Sequence, residues 1–319
     1  MALNDYTNLR PVGNMGDSDL TNQIQYNTAA YWNWALLGIG GYINVTIPTT
    51  GAFGGNYHIL RPTHDDSYTD GQVWQSIRKD WVWETGVEFT GTQPIHVSGV
   101  YINGNFYLPN DATYGHTIDW KLGRIIFDTE IATTSVVTAN YSYRYCQIYT
   151  DDDVDIQTEV QFRSTRPDDS HFEQMSSGNF IEHDQKIQLP CIVIENTTRG
   201  RKKGYQLGDG SIYVYPELLF HVLAESARER NYLLDKIDLN TPKTILMYNF
   251  DTMAANDDIP LNFDGTLNSG AKMYPELVTD YLWKQLTVED TEITAVQKHS
   301  KKFYTGTVRV KFSVISEDS

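Results

Sequence analysis

The sequence predicts a β-rich α+β protein, and three observations carry that expectation. Asn103-Gly104 stands between two short alternating segments, which is the strongest short-range hairpin signal because both residues accept the positive φ of a type I′ turn. Tyr304 to Ile315 alternates without a break: Tyr304, Val308, Val310, Phe312 and Val314 against Thr305, Thr307, Arg309, Lys311 and Ser313. Ser226-Ala227-Arg228-Glu229 fits a capping box, followed by Leu233, Leu234 and Ile237 at helical spacing. Together they predict an antiparallel β-sandwich or barrel-like domain, then an α+β domain with a mainly antiparallel sheet and helices on one face.

The elements follow in order. Residues 1–17 read as a polar arm. Ser18 to Leu37 has a helical rhythm, with Leu20, Ile24, Tyr31 and Trp34/Ala35 near one face and Asn27 interrupting the stripe. Gly38-Ile39-Gly40-Gly41 stops that helix, and Tyr42 to Ile47 alternates as a strand up to Pro48. His58 to Asp70 is a polar connection. In Gln72 to Phe89, Trp81 and Trp83 share a face in a strand, whereas Trp74, Ile77 and Trp81 share one in a helix. A strand is favoured for Trp81–Phe89. Ile118 to Phe127 forms a second hairpin around Gly123. Val137, Ala139, Tyr141, Tyr143 and Tyr145 then face one way and Thr138, Asn140, Ser142 and Arg144 the other, as in a half-buried strand. The acidic run Asp151–Asp155 marks a boundary, and residues 163–180 read as a long polar loop. Ile187 to Ile194 reads as a strand near an edge because of Pro190, residues 196–210 as a Gly-rich basic loop, and Ile212 to Ala224 as a long strand. Thr244 to Phe250 follows as a strand, and Pro275 to Leu286 as a helix with Leu277, Tyr281 and Trp283 packing inward. The expected organisation is 1–90 (arm, helix and aromatic-rich β segment), 91–150 (antiparallel β-domain) and 151–319 (α+β domain).

Composition limits the functions available. The 319 residues suit two domains, and 13% aromatics exclude a disordered chain. A net charge of −16 repels phosphate backbones and anionic membranes, so no nucleic-acid partner is expected. No apolar run approaches the ~20 residues of a membrane helix, and Met1–Asp5 lacks the features of a secretory signal. Cys146 and Cys191 lie in strand-like segments and read as two buried thiols rather than a disulfide.

Catalytic and metal constellations do not assemble in the sequence. Gly16-Asp17-Ser18-Asp19-Leu20 resembles a nucleophile block, but no strand precedes it to form the elbow, and Asp17 or Ser18 serves better as a helix cap. Asp151, Asp153 and Asp155 open like a calcium loop, but Ile156 stands where glycine is needed and Phe162 where glutamate is needed. His58 and His64 bracket Asp65, Asp66 and Asp70, a weak metal candidate against ordinary loop polarity. Residues 204–210 carry no nucleotide-binding pattern, so no cofactor is expected. Two features remain. Arg199, Arg201, Lys202 and Lys203 cluster in an acidic chain, as a solvated hairpin tip, as a docking loop for an acidic neighbour, including another copy, or, least simply, as a direct DNA contact. Trp74, Trp81 and Trp83 fill a core, form a subunit interface or, less simply, line a sugar platform.

The stretch Tyr68–Trp74, Arg78–Glu84, Val100–Gly104 and Ile118–Phe127 resembles virion structural proteins of tailed bacteriophages. Leu219–Ala224 followed by Arg228–Leu234 resembles the strand–helix unit of neck, tail-terminator and tail-completion proteins. The resemblance implies a non-enzymatic structural protein without cofactor or metal, located in the virion after assembly in the host cytoplasm. It would act as a ring homo-oligomer, a hexamer or dodecamer, beside portal or adaptor, tail tube or sheath proteins. The alternative is a receptor- or carbohydrate-binding tail or baseplate protein. Arg199, Arg201, Lys202, Lys203, Trp74, Trp81 and Trp83 are the expected interface residues.

Overall fold

The N-terminal helix packs with the C-terminal half of the chain. The computed structural model describes residues 16–47, 57–165, 172–175, 178–182, 187–204 and 212–316. In it α1 (Gly16–Gly38) buries Leu20, Ile24, Trp32 and Leu36 in one cluster with Ile194, Phe220, Met247, Leu286 and Val310. It ends in a Schellman-type cap: the amides of Gly41 and Gly40 donate to the carbonyls of Leu36 and Leu37, and Gly40 has φ +82°. The expected arm lies outside the described residues up to residue 15.

Nine short strands follow: β1 (Tyr42–Val45), β2 (Ile59–Pro62), β3 (Val73–Gln75), β4 (Val100–Ile102), β5 (Asn105–Tyr107), β6 (His116–Asp119), β7 (Arg124–Phe127), β8 (Val137–Thr138) and β9 (Tyr141–Arg144). Seven form an antiparallel sheet in the order β5-β4-β8-β2-β3-β7-β6, and β1 pairs with β9. Asn103 (φ 49°) and Gly104 (φ 87°) make the β4–β5 turn as their chemistry dictates. Trp74, Trp81, Ile125, Phe127, Val137, Ala139 and Tyr141 fill the core of this module.

The second module contains β10 (Gln147–Thr150), α2 (Ile156–Thr165), β11 (Phe172–Gln174), β12 (Phe180–Glu182), β13 (Cys191–Gly204), β14 (Ile212–Ala224), α3 (Ala227–Asp238), β15 (Lys243–Tyr248), α4 (Phe250–Ala255), α5 (Tyr274–Tyr281), β16 (Leu282–Ser300) and β17 (Phe303–Ser316). Its main sheet runs β10-β13-β14-β17-β16-β15, antiparallel except for β10 against β13. Helices α1 and α3 cover one face through Ile192, Phe220, Val222, Val308 and Val310. On the other face α2 packs over one corner, on Cys191, Val193, Leu223 and Phe303. The fold is therefore β-rich α+β.

Two polar residues staple α1 across this sheet. The Asn27 amide donates to the Tyr248 carbonyl at 2.9 Å and accepts from the Tyr248 amide at 2.8 Å, extending β15 as a strand would. Gln25 donates to the Ile194 carbonyl of β13 at 2.7 Å. Two residues apart on a helix means about 200° around its axis. In a flat sheet β13 and β15 would stand ~19 Å apart, four spacings of ~4.8 Å. One helix of ~10–12 Å diameter bridges them because the sheet curls around it.

Several local expectations change. Strands β2 and β3 sit mid-sheet between β8 and β7, so the first module's sheet draws strands from both sides of residue 90. Trp81–Phe89 is no strand; it makes single bridges, Trp81 with Tyr143 and Phe89 with Thr92. Asp151–Asp153 is a turn between β10 and α2, and Asp155 caps α2 by accepting from the Gln157 and Thr158 amides. Helix α2 occupies the start of the expected 163–180 loop; residues 166–171 and 176–177 lie outside the described residues. Pro190 precedes β13, which is flanked by β10 and is no edge at that point. Helix α5 ends at Tyr281 because Leu282–Leu286 are drawn into β16 against β15. Residues 196–204 continue β13 instead of forming a loop; residues 205–211 lie outside the described residues.

Candidate assembly surfaces

The expected interface tryptophans are absorbed by the first module. Trp74 and Trp81 are 1% and 0% exposed. Each indole N–H donates within its own turn, Trp74 to the Gly71 carbonyl (2.8 Å) and Trp81 to the Arg78 carbonyl (2.9 Å). Trp81 stacks on Tyr141 at 4.5 Å between ring centroids. Trp83 is half-buried against the same core. Neither a subunit interface nor a sugar platform can use Trp74 or Trp81 in this fold, because satisfied, desolvated indoles present no surface.

The modules are joined by an ionic cluster in which Arg144 and Glu84 are buried and Asp80 is half-buried. Arg144, at the end of β9, donates to Asp80 Oδ1 (3.2 Å), to the Glu84 carboxylate and to the Asn33 carbonyl of α1 (3.3 Å). His96 Nε2 lies 2.8 Å from the Glu84 carbonyl. Burial, together with repulsion from Glu84, pushes the Asp80 carboxyl up to about 6 despite the attraction of Arg144. A second tie is the segment after α4. Leu261 packs on the first module's core, and the Trp120 amide donates to the Gly265 carbonyl at 2.9 Å. The turn at its tip leaves Phe263 fully exposed.

The basic cluster lies on a sheet margin. β10 covers β13 only as far as Ile194. From Asn196 to Gly204 the described residues pair β13 on one side alone, with β14, through Arg201↔Tyr215, Lys202↔Val214 and Lys203↔Tyr213. Arg199, Arg201, Lys202 and Lys203 therefore belong to a strand edge. A second bare margin escapes the sequence reading. β15 covers β16 only up to Val288. Among the described residues, Glu289 to Ser300 pairs only with β17, and Ile293 and Val296 are exposed. The available signal was the run Glu289-Asp290-Thr291-Glu292 opening a long alternating stretch.

The open face of the six-stranded sheet is polar. His221 Nε2 stands 2.7 Å from Glu195 Oε2, and its Nδ1 3.2 Å from Thr307 Oγ1. This juxtaposition of hydroxyl, imidazole and carboxylate comes from three adjacent strands, β13, β14 and β17. Lys311 pairs with Asp290 at 2.9 Å on the same sheet. In the acidic loop, His64 is held by Asp70 (2.9 Å) and Asp66 (3.2 Å). No group of three or more His, Cys, Asp or Glu among the described residues is placed to hold a metal ion. Cys146 and Cys191 are buried free thiols, and burial pushes both well up. No described helix is long and apolar enough to cross a membrane. The chain matches no family model and no curated protein.

Proposed function

We propose that this chain is a structural virion protein of a tailed bacteriophage, placed at the neck as a head–tail connector or tail terminator. It acts by closing with copies of itself into a symmetric ring of six or twelve subunits. Its neighbours are portal or adaptor proteins on the head side and tube or sheath proteins on the tail side. It performs no catalysis and needs no cofactor. One observation carries this reading: four basic residues of a −16 chain, Arg199, Arg201, Lys202 and Lys203, stand on a strand that, among the described residues, is paired on one side only. A bare strand edge is a template for another chain, and local charge opposite to the global charge selects an acidic partner such as a further copy. The resemblance of 68–127 and 219–234 to phage virion proteins supports the same reading. The glycan-binding alternative loses its support because Trp74 and Trp81 are buried.

The test is the mass of the purified full chain by sedimentation and electron microscopy, with gold labelling of intact particles. Closed rings in solution and label at the head–tail junction are expected. A strict monomer at all concentrations, or label along the fibres or at the distal tail tip, rejects the proposal.

A further inference from the structure

Resting on the reading of a self-assembling ring, the geometry points to the two margins of the six-stranded sheet that the described residues leave bare as each other's partners. The basic margin of β13 in one copy adds, antiparallel, to the acidic margin of β16 in the next.

Three features of the sheet converge on this pairing. The first is direction. Along the order β13-β14-β17-β16 every pairing is antiparallel, so β13 and β16 run in opposite senses. A neighbour held in the same orientation therefore offers β13 antiparallel to β16, and the alternation continues across the boundary. Such a contact is heterologous, the kind that generates rings when the rotation closes.

The second is the placement of bulges. β13 slips register between Asn196 and Thr198 and between Thr198 and Arg201, leaving Arg201–Gly204 regular. β16 slips between Val288 and Asp290, between Ile293 and Ala295 and between Lys298 and Ser300. Its stretch Asp290–Ile293 stays regular. Bulges spoil an edge for pairing. The regular stretches thus match in length, and each carries its margin's charge.

The third is charge order. With Lys203 opposite Asp290, antiparallel addition sets Arg201 opposite Glu292. The uncharged start, Asn196–Thr198, then falls near Lys298. Pairing β13 with itself would set four positive charges against four. Within the chain Asp290 binds Lys311 (2.9 Å), and Glu292 lies 4.0 Å from Arg309. These pairs are exposed and screened by solvent, so they yield to a better-ordered partner. Side chains from inside the subunit touch the β16 margin at two places: Arg230 donates to the Gln297 carbonyl (3.0 Å), and Thr291 Oγ1 donates to Asp238 (2.8 Å) and accepts from Thr241 Oγ1 (3.1 Å). The first lies outside the regular stretch, and the second uses the Thr291 side chain and leaves its backbone unengaged.

The experiment uses two full-chain variants: Arg201→Glu/Lys202→Glu/Lys203→Glu, and Glu289→Lys/Asp290→Lys/Glu292→Lys. Each is checked for wild-type melting, and assembly is followed by mass photometry at low salt. Each variant alone should need at least about tenfold more protein to assemble, equivalent to about 1.4 kcal/mol. An equimolar mixture should recover assembly and form even-numbered rings only, because each species then accepts only the other. Hydrogen exchange on wild-type rings should slow the amides of 201–204 and 290–293. If wild-type rings form but both folded variants assemble normally, or the mixture fails to recover, the margin pairing is overturned while the ring stands. If only the β16 variant loses assembly, β16 pairs with itself about a two-fold axis and the proposal is overturned. Amides that exchange as fast in rings as in monomers exclude strand addition. A wild-type chain that never assembles overturns both readings.

Discussion

No strand of the first module exceeds four residues, whereas β13, β14, β16 and β17 run 13 to 19. Short strands supply few ladder bonds, so the first module leans on large aromatics whose polar atoms are tied back to the chain. Trp74 and Trp81 bond to the carbonyls of Gly71 and Arg78, and Tyr141 Oη to the Tyr57 carbonyl at 2.6 Å. The second module spreads its stability along ladders and over aliphatic contacts under α1 and α3. The two modules are therefore fragile in different places: one at single side chains, the other nowhere in particular except at its staples and caps.

Trp81→Ala tests this most severely. It empties a fully buried, stacked position and should cost about 3–5 kcal/mol. Hydrogen exchange by mass spectrometry should show the loss in β1–β9 and leave β14 and β17 protected. Equal loss in both modules would mean that they unfold as one unit and that the comparison has no thermodynamic content.

Arg144→Met attacks the joint between them. Removing one partner of a buried ion pair leaves Asp80 and Glu84 without their cation, at a cost of about 3 kcal/mol. A single melting transition should split into two. If it stays single, the contacts through Leu261 and Gly265 suffice to couple the modules.

The same cluster sets a pH dependence. Asp80 has a folded pKa of about 6 against 3.8 for the free side chain. A carboxyl raised in this way keeps its proton in the folded state where the unfolded chain has lost it. Its contribution is full below about pH 4 and is lost as pH rises to about 6, by no more than about 3 kcal/mol. Asp80→Asn should flatten that fall in stability. Asparagine tolerates the left-handed backbone at this position (φ 56°), so an unchanged pH slope in the variant assigns the effect elsewhere.

The sequence was most legible where periodicity ran long or turn chemistry was specific. The β4–β5 turn, the Ser226 cap and the faces of β14 and β17 stand where their patterns place them. Long-range pairing left no local mark. Nothing in Ile59–Pro62 or Val73–Gln75 announces that these strands sit between β7 and β8. Asn27 broke the apolar stripe of α1 because it does a strand's work at the end of β15, and β-type hydrogen bonding from a helix has no periodic signature. The tryptophans read equally as core or surface, since composition does not reveal whether an indole N–H finds a partner inside. The basic residues 199–203 were visible as charge but not as strand, because glycine and lysine are poor strand formers held here by pairing with β14. Asn27→Leu sharpens the point. It keeps the branched heavy-atom shape and the helicity but leaves the Tyr248 amide and carbonyl unpaired, at about 2 kcal/mol, with faster exchange at Tyr248 as the readout.

The smallest effect belongs to the second module's caps. Ser226 Oγ accepts from the Glu229 amide at 3.2 Å and fixes the start of α3, whose Leu233, Leu234 and Ile237 reach the core under β14 and β17. Ser226→Ala removes that bond and the one the hydroxyl donates to the Glu229 carboxylate (3.2 Å) and nothing from the core, so the expected loss is about 1 kcal/mol. The helix stays docked because its apolar face is unaffected, and the β-ladders beside it do not depend on its first turn. Exchange should therefore quicken at Arg228–Arg230 alone, with β14 and β17 unchanged. Propagation of the loss into β14 would show that this module, too, hangs on single side chains, and the contrast between the two modules would fall.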